Sequence, residues 1–136
     1  VRPAALALAA MNEGQQLRAL RGATTAEANT VAAIGASVEE LLDALICQNG
    51  LRGTQVLSVT FSVTADLTAC FPAAIARRHT GWDGVALLDC QQMAVDGDLP
   101  RCIRLLAHAW MEAGRAPTHP YLRQAALLRP DRSGHT

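Results

Sequence analysis

A chain of 136 residues with twelve arginines, no lysine and twelve carboxylates carries no formal net charge. That length fits one domain, and the even balance lacks the basic excess of a nucleic-acid or anionic-membrane binder. A domain of this size buries roughly two thirds of its surface, so it needs neither a disulfide nor a metal to fold.

Because every cation is Arg, a single Arg is weaker evidence for guanidinium chemistry than it would be in a lysine-rich chain. Cys47, Cys70, Cys90 and Cys102 form no C-x-x-C pair, and His79, His108, His119 and His135 form no H-x-x-x-H pair. This predicts no metal site and no disulfide. Buried free thiols in a reducing, cytoplasmic setting are the expectation.

"VRPAALALAAM" is read as an irregular extension rather than a secretion signal, because its charged region is one residue and its apolar run is short. Met11 is an alternative start. The expected organisation is an N-terminal extension over 1–15, a folded domain over 16–131 and a flexible tail over 132–136.

In chain order, "QLRALRG" alternates Leu17, Ala19 and Arg21 against Arg18 and Leu20, which predicts a short strand ended by Gly22. "ATTAEANT" is turn-rich. Val31, Ile34, Val38, Leu41, Leu42 and Leu45 recur at helical spacing, with Asn29 or Thr30 to cap the start and Asn49-Gly50 to end it. Gly35 inside this stretch and the Ser37/Glu40 capping-box pattern support a competing start at Ser37.

"QVLSVTFSVT" predicts a strand with Leu57, Val59, Phe61 and Val63 on one face and Val56, Ser58, Thr60 and Ser62 on the other. A short helix follows Pro72, a residue suited to a first turn. "DGVALLDC" has strand length. "RCIRLLAHAW" fits helical and strand periods equally, and "YLRQAALLRPD" reads as a last strand ended by Pro130. The order predicts an α/β or α+β fold with one sheet and two helices.

Three of these segments carry an Arg beside small or apolar neighbours: Arg21 in "ALRGATT", Arg104 in "CIRLL" and Arg129 in "ALLRPD". Arg77 lies on the short helix after "FPA". Singly, each is more often a surface Arg with a buried stem. Together, convergent guanidiniums make a receptor for a small dicarboxylate, since each grips a carboxylate with two hydrogen bonds.

"RGATT", "FPA", "QQMAVDGDLPRCIR" and "YLRQAALLRPD" stand in an order that resembles the small trimeric chorismate mutases of the AroH class. The resemblance is collinear from about Leu17 to Asp131, with one residue missing between Trp110 and Tyr121. It implies a homotrimer of α/β subunits packed as a pseudo-barrel, with active sites in clefts between neighbours. It also implies that "RCIRLLAHAW" is a strand.

By the same resemblance, Arg21 binds substrate and Arg104 lies by the breaking ether oxygen. Tyr121 contacts a carboxylate, and Arg129 helps close the site. Phe71, Ala73 and Arg77 come from the adjacent subunit, while Leu87, Leu88 and Asp89 line the pocket floor. The reaction implied is the one-step pericyclic conversion of chorismate to prephenate in aromatic amino acid biosynthesis, which needs no nucleophile, acid, base, metal or cofactor. The work left to the protein is orientation of the dianion and stabilisation of charge on the ether oxygen.

Two positions depart from the family. Gln92 stands where relatives carry Glu, and Asp89 stands where they carry Cys, so the expectation is that the carboxylate has moved to Asp89. The bland reading is that Asp89 caps or pairs locally. Ala74 replaces a common Lys, which predicts weaker binding more than slower chemistry. The competing functions are a variant acting on a chorismate analogue, a non-catalytic trimer binding an anionic metabolite, and an imine hydrolase of similar trimeric architecture.

Overall fold

The computed structural model describes residues 14–129. Of the predicted extension over 1–15, residues 1–13 lie outside them, as does the tail over 132–136, while Gln15 already belongs to the first strand. Four strands are present: β1 (Gln15–Thr25), β2 (Val56–Val63), β3 (Ala86–Gln91) and β4 (Cys102–Glu112). The helices are α1 (Val31–Asn49) and α2 (Pro72–Arg77), and 3-10 turns stand at Gly53–Gln55, before β2, and at Arg123–Leu127, after β4. One sheet runs in the order β1-β4-β2-β3. β4 is antiparallel to both β1 and β2, while β2 and β3 run parallel, with α2 in the crossover. This is the expected mixed α+β sheet with two helices.

β4 resolves the segment whose period was ambiguous. It pairs on both sides, and its side chains alternate: Ile103, Leu105, Ala107, Ala109 and Met111 are buried, while Arg104, Leu106, His108 and Trp110 are not. The buried set joins Leu20, Val59 and Phe61 and meets Ile34, Val38, Leu41, Leu42 and Leu45 of α1. The main core cluster therefore lies on one face of the sheet, beneath the apolar stripe that the sequence shows.

The helix starts at the earlier of its two candidate positions. Thr30 is the cap, its hydroxyl accepting the Ala33 N–H at 3.0 Å. Ser37 is buried within the helix and donates to the Thr25 carbonyl of β1 at 2.8 Å. Gly50 ends α1 in the left-handed region, φ 61°, its N–H turned back to Cys47 and Ile46.

Four expectations are corrected. Gly22 does not end β1, which runs on to Thr25 opposite Cys102. The glycine answers a close approach instead: a Cβ there would lie 3.2 Å from both Leu41 Cδ1 and the Pro120 carbonyl. β2 does not alternate strictly, because a register shift between Val56 and Ser58 leaves Leu57 exposed and turns Val56 inward.

The predicted last strand is a single bridge from Tyr121 to Ala23 followed by the 3-10 turn. Arg123 takes φ 51°, outside extended geometry, and its guanidinium bonds Glu40 at 3.0 Å and Glu27 at 3.4 Å. Of the four free thiols only Cys102 is buried, because Cys47 and Cys90 sit on the outward sides of α1 and β3.

Among the described residues no helix is long and apolar enough to cross a membrane. Leu41→Ala, at the centre of the helix–sheet contact, is expected to cost about 2–5 kcal/mol. Thr30→Ala is expected to cost about 1 kcal/mol through loss of the cap. Urea denaturation at fixed protein concentration measures both.

Candidate active site

The strand registers place Arg21 and Arg104 on the face of the sheet that the helices leave open. Arg21 lies opposite Leu106, and Arg104 lies opposite Ala23 on one side and Ser62 on the other. The two arginines are thus diagonal neighbours on adjacent strands, roughly 7–8 Å apart at the backbone. Arg104 rests beside the Cys102 thiol, which burial pushes above its ordinary value while the guanidinium pulls it down.

A carboxylate limits the repulsion between these cations. Asp98, on the loop leading into β4, lies 3.4 Å from the Arg104 guanidinium. It also accepts from Gln92 Nε2 at 2.6 Å and from the Leu99 N–H at 2.8 Å. Gln92 and Asp98 line a cavity of about 310 Å³ together with Thr64 and Asp66. Two buried polar atoms of this group, Arg104 Nε and Gln92 Oε1, find no partner among the described residues.

The chain's C-terminal segment fixes Arg21. Where β1 would otherwise be an open edge, the Arg21 N–H donates to His119 Nδ1 at 2.9 Å and the Ala23 N–H to the Pro120 carbonyl at 3.0 Å. The Leu122 N–H returns to the Ala23 carbonyl at 2.9 Å. Tyr121, half-buried, is thereby carried alongside β1 near the Arg21–Arg104 pair. Arg129, also half-buried, follows the 3-10 turn and is not on a strand.

The remaining candidates gather elsewhere. Asp89 lies opposite Phe61 of the core, so its side chain leaves β3 on the helix side. Its Oδ1 accepts the Ala73 N–H at 3.0 Å, capping α2 where the N-cap Phe71 has no polar side chain. Burial pushes the Asp89 carboxyl above the usual carboxylate value, while the Ala73 bond and the charge of Arg77 pull it down. Phe71, Ala74 and Asp89 share a cavity of about 510 Å³. Leu87 packs against the core, whereas Leu88, 62% exposed, points to the open face.

The structure therefore brings together Arg21, Arg104, Gln92 and Tyr121 as one set and Phe71, Ala73, Arg77 and Asp89 as another. Arg104 and Asp89 stand two strands apart, roughly 10 Å, and leave opposite faces. Within one copy of the chain Asp89 serves the local capping role. Two contributors were not singled out from sequence: Asp98, whose loop folds back onto Gln92, and His119, which braces Arg21 from 98 residues away. Neither spacing carries a signal, because both contacts depend on tertiary folding.

Comparison with known proteins converges on one description. A family model described as chorismate mutase type I matches residues 17–132. The chorismate mutase AroH of Thermus thermophilus is 42% identical over 117 residues, 85% of this chain and 95% of that protein. The chorismate mutase AroH of Bacillus subtilis (strain 168) is 36% identical over 118 residues, 86% of this chain and 93% of that protein. A solved chorismate mutase from Clostridium thermocellum superposes with a TM-score of 0.74 at 36% identity, covering 81% of this chain and 98% of that one.

Asp89→Asn keeps an oxygen for the Ala73 N–H and removes the charge that burial disfavours. Because the folded-state pKa is raised from 3.8, the wild type gains stability as its carboxyl protonates and loses that gain as pH rises through the folded value. The variant is expected to match or exceed wild-type Tm at neutral pH, with the difference shrinking as pH falls toward 3.8. Melting curves of both proteins across that window measure it.

Proposed function

This chain belongs to the type I chorismate mutases, and from that premise we propose that it isomerises chorismate to prephenate in clefts that neighbouring copies of a homotrimer build together. The observation that carries the reading is the Arg104 guanidinium. It stands on the open face with Asp98 on one side, and its buried Nε meets no acceptor among the described residues. A buried donor left unpaired costs about 1–3 kcal/mol, and the ether oxygen of bound chorismate supplies the missing acceptor.

The chemistry asks for little else. The rearrangement breaks the ether C–O bond as a C–C bond forms, in one step. Holding the flexible dianion in its compact reactive shape removes much of the barrier. A guanidinium aimed at the ether oxygen stabilises the charge that grows there, most strongly where water is excluded. Arg21, Tyr121 and Arg129 hold the carboxylates, and the ring hydroxyl falls to Gln92. Phe71, Ala73 and Arg77 of the adjacent copy form the opposite wall, with Leu87, Leu88 and Asp89 at its floor. No cofactor enters this scheme.

Physical support for a shared site comes from the sheet. Its helix-free face exposes Leu17, Leu88 and Leu106 at 49%, 62% and 42%. A sheet face of this kind is normally polar when it meets water. A second copy covering it also brings the Asp89 set toward the Arg104 set, which one copy holds apart. The proposed setting is the cytoplasm, where free thiols persist, and the product feeds phenylalanine and tyrosine synthesis.

Loss of chorismate absorbance with prephenate identified as product tests the activity. Chorismate that binds without turning over refutes it, and parallel assay of an amino analogue tests an altered substrate. Arg104→Ala is expected to lower kcat about 100- to 1,000-fold with the fold retained. Leu106→Asp is expected to break the assembly into smaller species by sedimentation while leaving the helix content unchanged.

A further inference from the structure

We propose that Asp98 is a positioning residue: it fixes the side-chain amide of Gln92 so that Oε1 accepts the ring hydroxyl of the substrate, beside the Arg104 Nε that donates to the ether oxygen. The inference rests on the chorismate mutase reading and adds the device by which a neutral side chain serves this corner of the site.

The argument begins with the amide. A Gln side chain presents one donor and one acceptor end. A carboxylate accepts only, so the contact of 2.6 Å with Asp98 Oδ2 requires Nε2 at that end. The amide cannot turn over without setting two acceptor oxygens against each other. Oε1 is thereby directed away from Asp98, buried and without a partner among the described residues.

Asp98 is itself fixed. The Leu99 N–H donates to its Oδ1 at 2.8 Å, and the Arg104 guanidinium sits 3.4 Å away. One carboxylate thus holds both groups whose remaining atoms are unsatisfied: an acceptor, Gln92 Oε1, and a donor, Arg104 Nε. A ligand that satisfies both must offer an O–H beside an acceptor oxygen. Chorismate has that pair on adjacent ring carbons, as a free hydroxyl and an ether.

The arrangement also accounts for why the carboxylate stands behind the amide. Asp98 offsets the charge of Arg104 from the side away from the reacting oxygen. A second carboxylate at position 92 would sit against Asp98 and force the two to share a proton.

The test exchanges the groups. Gln92→Glu alone is expected to lower kcat/KM about tenfold or more at pH 8 and to recover as pH falls and the pair takes up a proton. Adding Asp98→Asn to Gln92→Glu is expected to restore kcat/KM to within about threefold of wild type with a flat pH profile, since an amide now faces the carboxylate from the other side. Asp98→Ala frees the Gln92 amide and is expected to raise KM more than it lowers kcat.

A Gln92→Glu enzyme as active as wild type across the pH range, a double variant no better than the single, or an unchanged KM in Asp98→Ala each overturns the inference. Melting temperatures of all variants separate these results from misfolding, and the Asp98→Ala result stands even where Gln92→Glu fails to fold. Wild-type protein that does not turn over chorismate overturns the functional reading and this inference with it. Wild-type turnover with any of the three contrary results overturns this inference alone.

Discussion

The two-residue alternation of β4 organises the molecule. With β1 on one side and β2 on the other, its odd-numbered residues must face α1 and its even-numbered ones must face away. The same strand therefore supplies the core, through Ile103, Leu105 and Ala107, and the candidate site, through Arg104. A slip of one residue would bury a guanidinium among leucines and expose the core. The register is fixed where the strand begins: the Ala26 N–H donates to the Arg101 carbonyl and the Arg101 Nε–H to the Ala26 carbonyl, both at 2.9 Å, while the Cys102 N–H donates to Thr64 Oγ1 at 2.9 Å.

Around that strand, local contacts supply order rather than large energies. The Pro117–Tyr121 segment closes the β1 edge and orients the backbone at Arg21, while Arg123 ties the following turn to α1 through Glu40 and Glu27. These surface ion pairs add little stability singly. They tie the turn that follows Tyr121 to α1. Asn49 reinforces the approach by bonding both Thr118 backbone groups, at 2.7 and 2.9 Å.

Much of the fold was legible because it follows from burial. The stripe Ile34, Val38, Leu41, Leu45 required a helix, and Val59 with Phe61 required a strand face. Period alone could not decide "RCIRLLAHAW": Leu106 and Trp110 are large apolar residues on the face opposite Leu105 and Ala107, which blurs the two-residue alternation. The C-terminal strand failed for a different reason. The start of "YLRQAALLRPD" is held by the bridge from Tyr121 to Ala23 and by the ion pairs of Arg123, and tertiary contacts of that kind leave no periodic trace.

The site was legible in its arginines and obscure in its carboxylates. Arg21 and Arg104 stood out as charges in apolar runs, and folding put both on one face. Asp89 drew attention for the same reason, yet the structure uses it to cap α2. The charge beside Arg104 is Asp98, six residues earlier, on a loop whose return toward β4 nothing in the local spacing encodes.

The central claim is that the two sets of residues, separated by the sheet within one chain, meet across copies of it. Mixing chains carrying Arg104→Ala with chains carrying Arg77→Ala tests this most directly, because each inactive chain retains the half that the other lacks. Dissociation and reassembly of an equal mixture should recover about a quarter of the wild-type activity, the share of sites that draw both intact halves in a head-to-tail ring. A mixture no more active than its separate components would place the whole site within one copy and contradict the account.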